Sequence, residues 1–323
     1  MTIQSVGDAL PPSRTDLLAL VQSMAERAKG KPRAPEAPKQ PIAVQLPLWG
    51  DEIRCMPNEI LRSALFNARN RNQPRRYFKN ETIAIIDQSA RISFTGEELR
   101  QTDESVWLQL IHLAKEVPIG SPVEFTAYSM VQALRLTKSY PSANHIDQLC
   151  SSLQRMQATS LSIHSPRLGK GVSLSMIPKF EWLDEVTGAR LHTWRVFVAP
   201  EMVELFGDVH FTHLEWGQRL ALPTGLATWL HGYYASHSRP FAIRLSTLQN
   251  ASGCTAIDAK KIVESEQARR LTDIQKARLL KVKEQANARK FKQQVDAALA
   301  ELVRVGFLKW GEIRGDLVHV ERL

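Results

Sequence analysis

One layout occurs twice in this chain, and it constrains the fold more than any single motif. It is a short apolar strand, a short helix, a turn, a longer amphipathic helix and then a hairpin. In the first copy Val123-Glu124-Phe125 reads as a strand, Thr126 caps a short helix to Leu134, and Ser139-Tyr140-Pro141-Ser142 makes a turn. The stretch Ala143 to Gln157 then places Ile146, Leu149, Cys150, Leu153 and Met156 on one face. Its other face presents Ser142, Asn144, His145, Gln148, Ser152 and Arg155, with Asp147 as its carboxylate. A solvated face would carry more Glu and Lys. Helix, turn and longer helix is the order of a helix-turn-helix. Strands at Ser160–His164 and Val172–Ile177 follow, joined by a basic, glycine-bearing tip with Arg167 and Lys170, and a third strand is expected at His192–Val198. Helix-turn-helix plus basic hairpin is a winged helix, whose second helix enters the major groove while the hairpin tip lies along phosphates.

The order then recurs. Leu220 to Ala235 reads as a helix with Leu226, Trp229, Leu230 and Tyr233 on one face. Phe241–Arg244 reads as a strand, and Ser246 caps a short helix that ends near Gly253. Ala288 to Val305 is amphipathic, with Phe291, Val295, Ala298, Leu299, Leu302 and Val303 inward and Arg289, Lys292, Gln293 and Asp296 outward. Gly306 ends it. Strands at Phe307–Trp310 and Leu317–Val320, carrying Lys309 beside the turn that holds Arg314, give a second hairpin. The fold class expected is therefore α+β, with tandem winged-helix domains preceded by a flexible N-terminal arm. The boundaries expected are an arm at 1–57, a first domain at 58–206 and a second at 207–323. The second copy contains an added charged stretch, Ala259 to Ala286, rich in helix formers. Two readings of it stand side by side: a solvated helical insertion, or a basic arm that crosses DNA phosphates.

Charge agrees with this layout. The chain has 323 residues, with 42 Lys and Arg against 33 Asp and Glu, a net +9. Such a balance favours a polyanionic partner, nucleic acid or else an anionic membrane surface. No apolar run approaches the roughly 18 residues of a membrane span. The N-terminus lacks the order of a signal peptide, and Cys55, Cys150 and Cys254 form neither a CxxC motif nor a disulfide framework. A cytoplasmic protein is the expectation.

Before Pro57 the chain is linker-like. A capping-box layout at Ser13–Asp16 opens a short amphipathic helix to Lys29, and prolines at 32, 35, 38 and 41 follow at three-residue spacing. This segment reads equally as a solvated arm and as a partner-binding helix. Leu46, Leu48 and Trp49 then protrude from a proline-rich stretch, in a cluster that packs back onto a domain or docks into a partner's pocket. Asn58–Ala68 reads as a helix, Thr82–Phe94 as a strand pair turning near Asp87–Ala90, and Thr102 or Asp103 as the cap of a helix carrying Val106, Trp107, Leu110, Ile111 and Ala114. Arg69, Arg71, Arg75, Arg76 and Lys79 crowd around Tyr77 and Phe78. Phosphate contact and interdomain pairing are both open to them.

Several of these words occur together in one family. Arg75-Arg76-Tyr77-Phe78-Lys79-Asn80, Ile111-His112-Leu113-Ala114, Phe180-Glu181-Trp182-Leu183 and Leu230-His231-Gly232-Tyr233-Tyr234-Ala235-Ser236-His237 appear in this order. The chain resembles the TrfA family of plasmid replication initiators from broad-host-range plasmids, over about its last four-fifths. The resemblance implies tandem winged helices that bind directly repeated origin sites (iterons). It also implies active monomers and restrained dimers, help in opening the origin and so contact with single-stranded origin DNA, and recruitment of the host replicative helicase and initiator. Gln45-Leu46-Pro47-Leu48-Trp49 is similar to the Gln-Leu-x-Leu-Phe peptide by which many bacterial proteins, this family included, bind the sliding clamp. Gln45 would bond the pocket rim, with Leu46, Leu48 and Trp49 as anchors.

Catalytic readings have little to stand on. A nicking enzyme needs a metal cluster and usually a nucleophilic tyrosine. His210-x-x-His213-x-Glu215 lacks metal-site order, Tyr233 packs on a predicted helix with Tyr234 expected at the surface, and no GxxxxGK[ST] occurs. No cofactor, metal or catalytic residue is expected. Base readout is assigned to Asn144, His145, Gln148 and Arg155 in the first copy, with Ser142 a further DNA contact, and to Arg289, Lys292 and Gln293 in the second. Arg167, Lys170, Lys309 and Arg314 are expected to hold phosphates from the wings, with Arg75 and Arg76 in a further basic cluster. A winged-helix transcriptional repressor and a nicking replication enzyme are the alternatives.

Overall fold

The computed structural model describes residues 46–70, 72–86, 90–165, 170–204, 211–254 and 272–323. Val44–Leu323 forms one compact unit, while Met1–Ala43 is a separate unit outside the described residues, as is the helix expected there. The architecture is α+β. Elements run in the order β1 (Ile53–Pro57), α1 (Asn58–Leu61), β2 (Phe66–Asn67), β3 (Tyr77–Ile86), β4 (Ala90–Glu97), β5 (Leu99–Arg100), α2 (Gln101–Ala114), β6 (Val123–Thr126), α3 (Ala127–Ala133), α4 (Ala143–Gln157), β7 (Ser160–Ser165), β8 (Lys170–Leu174), β9 (Lys179–Leu183) and β10 (Arg190–Phe197). They continue with α5 (Pro200–Glu204), β11 (Phe211–Glu215), α6 (Trp216–Ala221), α7 (Leu226–Ala235), β12 (Ile243–Arg244), α8 (Leu245–Ala251), α9 (Asp273–Arg304), β13 (Leu308–Arg314) and β14 (Leu317–Arg322).

The repeated layout is present, and its topology is the same both times. In the first copy α2, β6, α3, α4, β9 and β10 build a three-stranded antiparallel sheet ordered β6-β10-β9 beside the helices. In the second copy α7, β12, α8, α9, β13 and β14 give the sheet β12-β14-β13. Each copy has its own apolar core. Trp107, Leu110, Met130, Val131, Leu149, Leu153 and Trp194 belong to the first, and Leu230, Leu248, Val295, Leu302 and Val318 to the second, all buried. The caps follow the chemistry of the sequence. The Thr126 hydroxyl accepts from the Ser129 N–H at the start of α3, and Gly306, at φ +73°, ends the C-terminal helix.

The first hairpin is assigned differently from the sequence reading. The hairpin with the basic tip, β7 and β8, joins a four-stranded sheet ordered β3-β4-β7-β8, pairing with β4 from Arg91↔His164 to Thr95↔Ser160. The hairpin that completes the first three-stranded sheet is the next one, β9 and β10. Its aromatic side chains decide this, because Phe180 and Trp194 are buried with Phe125 of β6, ring centroids 5.5 and 6.3 Å apart.

Other boundaries also shift. The helix expected over Asn58–Ala68 is a single turn followed by the two-residue strand β2. The helix expected over Leu220–Ala235 breaks at Pro223 and Gly225 (φ +133°) into α6 and α7. The second long helix begins not near Ala288 but at Thr272, whose hydroxyl accepts from the Gln275 N–H, so α9 runs 32 residues. Residues 46–57 are not a free arm. Strand β1 pairs antiparallel with β11, Ile53↔Glu215 to Pro57↔Phe211, because Cys55 and Met56 supply apolar side chains that the core fully buries.

Candidate nucleic-acid interface

The two long helices α4 and α9 carry the sequence-predicted readers. On α4, Asn144 and Gln148 are exposed one turn apart, and Ser151 continues the same stripe. Ser142 and His145 close the N-terminus of α4. The Ser142 N–H donates to His145 Nδ1 at 3.2 Å, and the two side chains meet at 2.9 Å. On α9, Arg289, Lys292, Gln293 and Asp296 are exposed and line a groove with Ile313 of β13. Lys292 Nζ reaches the Gly315 carbonyl at the hairpin turn, 3.4 Å away. Helix α9 therefore presents its polar stripe beside its hairpin.

Two members of the expected first set face inward. Arg155 Nη2 donates to Asp103 Oδ1 at 2.8 Å, and the Ser152 hydroxyl donates to the same oxygen at 2.5 Å. Asp103 has no side-chain exposure, so α4 is pinned to the start of α2 by these contacts. The arginine cluster is internal too. Arg75 Nη1 pairs with Asp103 Oδ2 at 2.8 Å, Arg69 pairs with buried Glu98 at 2.8 Å, and the Arg76 N–H donates to Glu98 at 2.8 Å. Arg76 lies over the Phe78 ring. Burial raises the Glu98 pKa, but hydrogen bonds from the Arg76 N–H and Arg100, with the charges of Arg69 and Arg100, outweigh it and hold the carboxyl below its ordinary range. Arg71 lies outside the described residues. A buried arginine–carboxylate network occupies the place where phosphate contact was an open reading.

The wings are corrected at the same level. Arg167 lies outside the described residues, and Lys170 begins β8, in the four-stranded sheet rather than beside α4. The hairpin tip beside α4 is Asp184–Ala189, where the Thr187 N–H, the Thr187 hydroxyl and the Val186 N–H all donate to Asp184. These bonds, the Thr187 N–H first, hold Asp184 ionised below its ordinary pKa. The tip beside α4 therefore carries an anionic Asp184 where the sequence pattern leads one to expect Arg167 and Lys170. In the second hairpin Lys309 pairs with Glu321 at 2.9 Å and Arg314 with Glu312, all on the surface. Arg190 of β10, which the sequence reading passed over, pairs with Asp147 and neutralises the one carboxylate at the N-terminal end of the α4 surface.

The Leu46–Trp49 peptide packs back onto the body. Leu46 and Trp49 are buried and Leu48 is 76% exposed. Leu46 lines a small notch together with Ala114, Val117, Val123 and Val198. The Trp49 indole N–H donates to His112 Nδ1 at 3.1 Å, and Lys115 Nζ donates to the Trp49 carbonyl at 2.9 Å. Burial, with the charges of Arg54 and Lys115, pulls His112 down to about 4, which keeps the ring a neutral acceptor. The accessible anchors expected from the proline-rich lead are thus reduced to Leu48. Gln45 lies outside the described residues.

The residues weighed for catalysis are placed as follows. Tyr234, expected at the surface, is buried, and burial raises its pKa. Buried His231 is drawn down to about 3, mainly by burial. His213 and Glu215 alternate on the exposed side of β11, while His210 lies outside the described residues. Among the described residues no cluster of His, Cys, Asp and Glu has the arrangement to hold a metal. No helix among them is long and apolar enough to cross a membrane.

Fold and surface together define an α+β protein built on one helix-and-hairpin unit used twice, each unit exposing a polar stripe on its long helix. Comparison with known proteins agrees with the sequence motifs. The TrfA protein family profile matches residues 39–276, and the chain belongs to that family. The plasmid replication initiator protein TrfA of Escherichia coli is 34% identical over 215 residues, which is 66% of this chain and 54% of that protein. The chain thus spans about half the length of that relative. Among solved structures, domains 2 and 3 of RctB match with a TM-score of 0.50 at 12% identity, covering 82% of this chain and 98% of that one. The Pi initiator protein in complex with iteron DNA matches with a TM-score of 0.41 at 12% identity, covering 73% and 99%.

Proposed function

We propose that the chain is a plasmid replication initiator that binds directly repeated origin sites through two winged-helix units, at 58–206 and 207–323. The observation that carries this is the use of one topology twice, each time with an exposed polar stripe on the long helix, in a member of the TrfA family. Two units joined head to tail in one chain read an asymmetric site, where a symmetric dimer reads a palindrome. Each long helix takes one major groove, with the two grooves about one helical turn, roughly 10 bp, apart. Asn144 and Gln148 read bases from α4, and Arg289, Lys292 and Gln293 from α9, Asn and Gln suiting adenine and Arg suiting guanine. Ser142 and His145 set the end of α4, and Arg155, Arg75 and Arg76 act through the internal network.

Help in opening the origin, binding of its single strands, and recruitment of the host helicase, initiator and sliding clamp belong to the same reading, as does a monomer–dimer equilibrium. Clamp binding through Gln45–Trp49 then requires Leu46 and Trp49 to leave the body first. The chain acts without catalysis in this account. A tyrosine hydroxyl as buried as that of Tyr234 is poorly placed for attack on a phosphodiester. The test is binding of purified protein to origin DNA with direct repeats against the same DNA scrambled. Preference for the repeats at physiological salt is expected. Equal binding overturns the proposal, nicking of supercoiled DNA with a divalent metal supports the enzyme alternative, and dimer binding to one inverted operator supports the repressor.

A further inference from the structure

Helix α9 is much longer than its unit needs. Its buried residues, Phe291, Val295, Ala298, Leu299 and Leu302, all lie in the C-terminal half. None of residues 272–290 is buried. This first half carries Lys276, Arg278, Lys281, Lys283, Arg289 and Lys290 against Asp273 and Glu284. The positions matter more than the count. Arg278, Lys281, Gln285, Arg289, Lys292 and Asp296 follow one another at steps of three and four, so they share one face of the helix. All six are exposed. The groove-lining residues beside the hairpin are therefore the C-terminal end of a longer stripe. Asp273 and Glu284 sit roughly 100–125° round the helix from the middle of the stripe, Glu284 three residues on from Lys281. Lys276 is balanced by Asp273 at 3.5 Å, whereas Arg278 and Lys281 make no ion pair among the described residues.

We infer that the N-terminal half of α9 is a second DNA-contact surface, in which Arg278 and Lys281 bind backbone phosphates beyond the bases read by Arg289, Lys292 and Gln293. The inference rests on the DNA-reading proposal above and adds a site to it. Length makes the argument. The stripe from Arg278 to Asp296 is about 27 Å long at ~1.5 Å per residue. The major groove is only about 12 Å wide, and it curves around the duplex while the helix is a straight rod. Only part of the stripe can lie against base edges, and the remainder must meet the phosphate wall. The residue types change accordingly. Gln293 and Asp296 hold the base-reading end, while Arg278 and Lys281 hold the end that meets phosphate. This half of the helix thus adds phosphate contacts to a surface on which the Asp184 tip is anionic and Lys309 and Arg314 are each paired with a carboxylate.

The test is the salt dependence of binding, read by fluorescence anisotropy. The two probes are a duplex of arbitrary sequence of about 40 bp and one of equal length carrying the origin repeat. The variant Arg278→Ala/Lys281→Ala is compared with Lys276→Ala/Lys283→Ala, which removes the same charge from the opposite face. Each phosphate contact contributes about 0.9 to the slope of log K against log salt. The first variant is expected to lower the slope by about two on both probes and to leave the preference for the repeat unchanged. The second is expected to change the slope much less. An unchanged slope in the first variant, or equal losses in the two, overturns the inference. A wild-type protein that binds both probes equally instead overturns the base-reading proposal, and the slope comparison still decides the arm.

Discussion

Arg155 is where sequence and structure assign opposite roles, and replacing it by alanine separates them. Its side chain is 17% exposed and bonds a carboxylate whose side chain has no exposure at all. Asp103 accepts from Arg155, from the Ser152 hydroxyl, from Arg75 and from the Arg100 N–H. Removing every cation beside a buried carboxylate costs about 3–5 kcal/mol. Here Arg75 and two neutral donors remain, so the loss is nearer one charged hydrogen bond, about 1.5–3 kcal/mol. At the roughly 2–4 °C of Tm per kcal/mol of a domain of about 150–250 residues, Arg155→Ala is expected to melt about 3–12 °C lower. Urea unfolding should show a lower midpoint with an unchanged slope. Binding assayed well below the new Tm should retain its preference for origin repeats. Unchanged stability with lost discrimination at one base pair would refute the reasoning and return Arg155 to the readers.

Trp49→Ala should destabilise by about 3–5 kcal/mol, since it empties a buried site and removes the donor to His112 Nδ1, whereas Leu48→Ala should stay within about 0.5 kcal/mol; thermal melts of the pair check this. Gly253→Ala puts a Cβ 2.5 Å from the Asn67 Cβ at φ +67°, so a loss above about 2 kcal/mol is expected in urea melts. His231 and His112 stay neutral in the fold down to about 3 and about 4, against about 6.5 when unfolded. The unfolded chain therefore binds the extra protons, and stability is complete above about pH 6.5 and falls as pH drops toward 4, by at most about 1.4 kcal/mol per unit for each ring. His231→Gln should flatten that slope in melts across the range, and an undiminished slope would remove His231 as its source. Gln148→Ala should cost about 1–3 kcal/mol on the repeat and little on random duplex, as titration on both probes would show.

The second unit was the more legible one because its signals are local. Phe291 through Leu302 repeat at helical spacing, Gly306 stops the helix, and Gly315 at φ +64° closes the hairpin. The first unit misled because two hairpins follow α4, and the one with the basic tip looked more like a DNA contact. The discriminating signal was present in Phe180, Trp182 and Trp194, whose bulk needs the core beside β6, and in the Asp184–Gly188 turn. The start of α9 is readable too, since Thr272 and Gln275 form a capping box inside the charged stretch Ala259 to Ala286. Long-range pairing was not readable. Arg155 meets Asp103 across 52 residues and Trp49 meets His112 across 63, and periodicity carries no information on such partners. Polar residues on an amphipathic helix look alike whether solvent or a buried carboxylate receives them.

The central claim is that two units of one chain read two grooves of one direct repeat, and missing-contact footprinting of point variants tests it most directly. Hydroxyl-radical and guanine-methylation footprints of the wild-type protein would be compared with those of Gln148→Ala and Gln293→Ala on a single origin repeat. The account predicts that each variant loses protection in a different major-groove segment, the two segments lying about 10 bp apart on the same repeat. Loss at the same segment in both variants, or footprints identical to wild type, would contradict it.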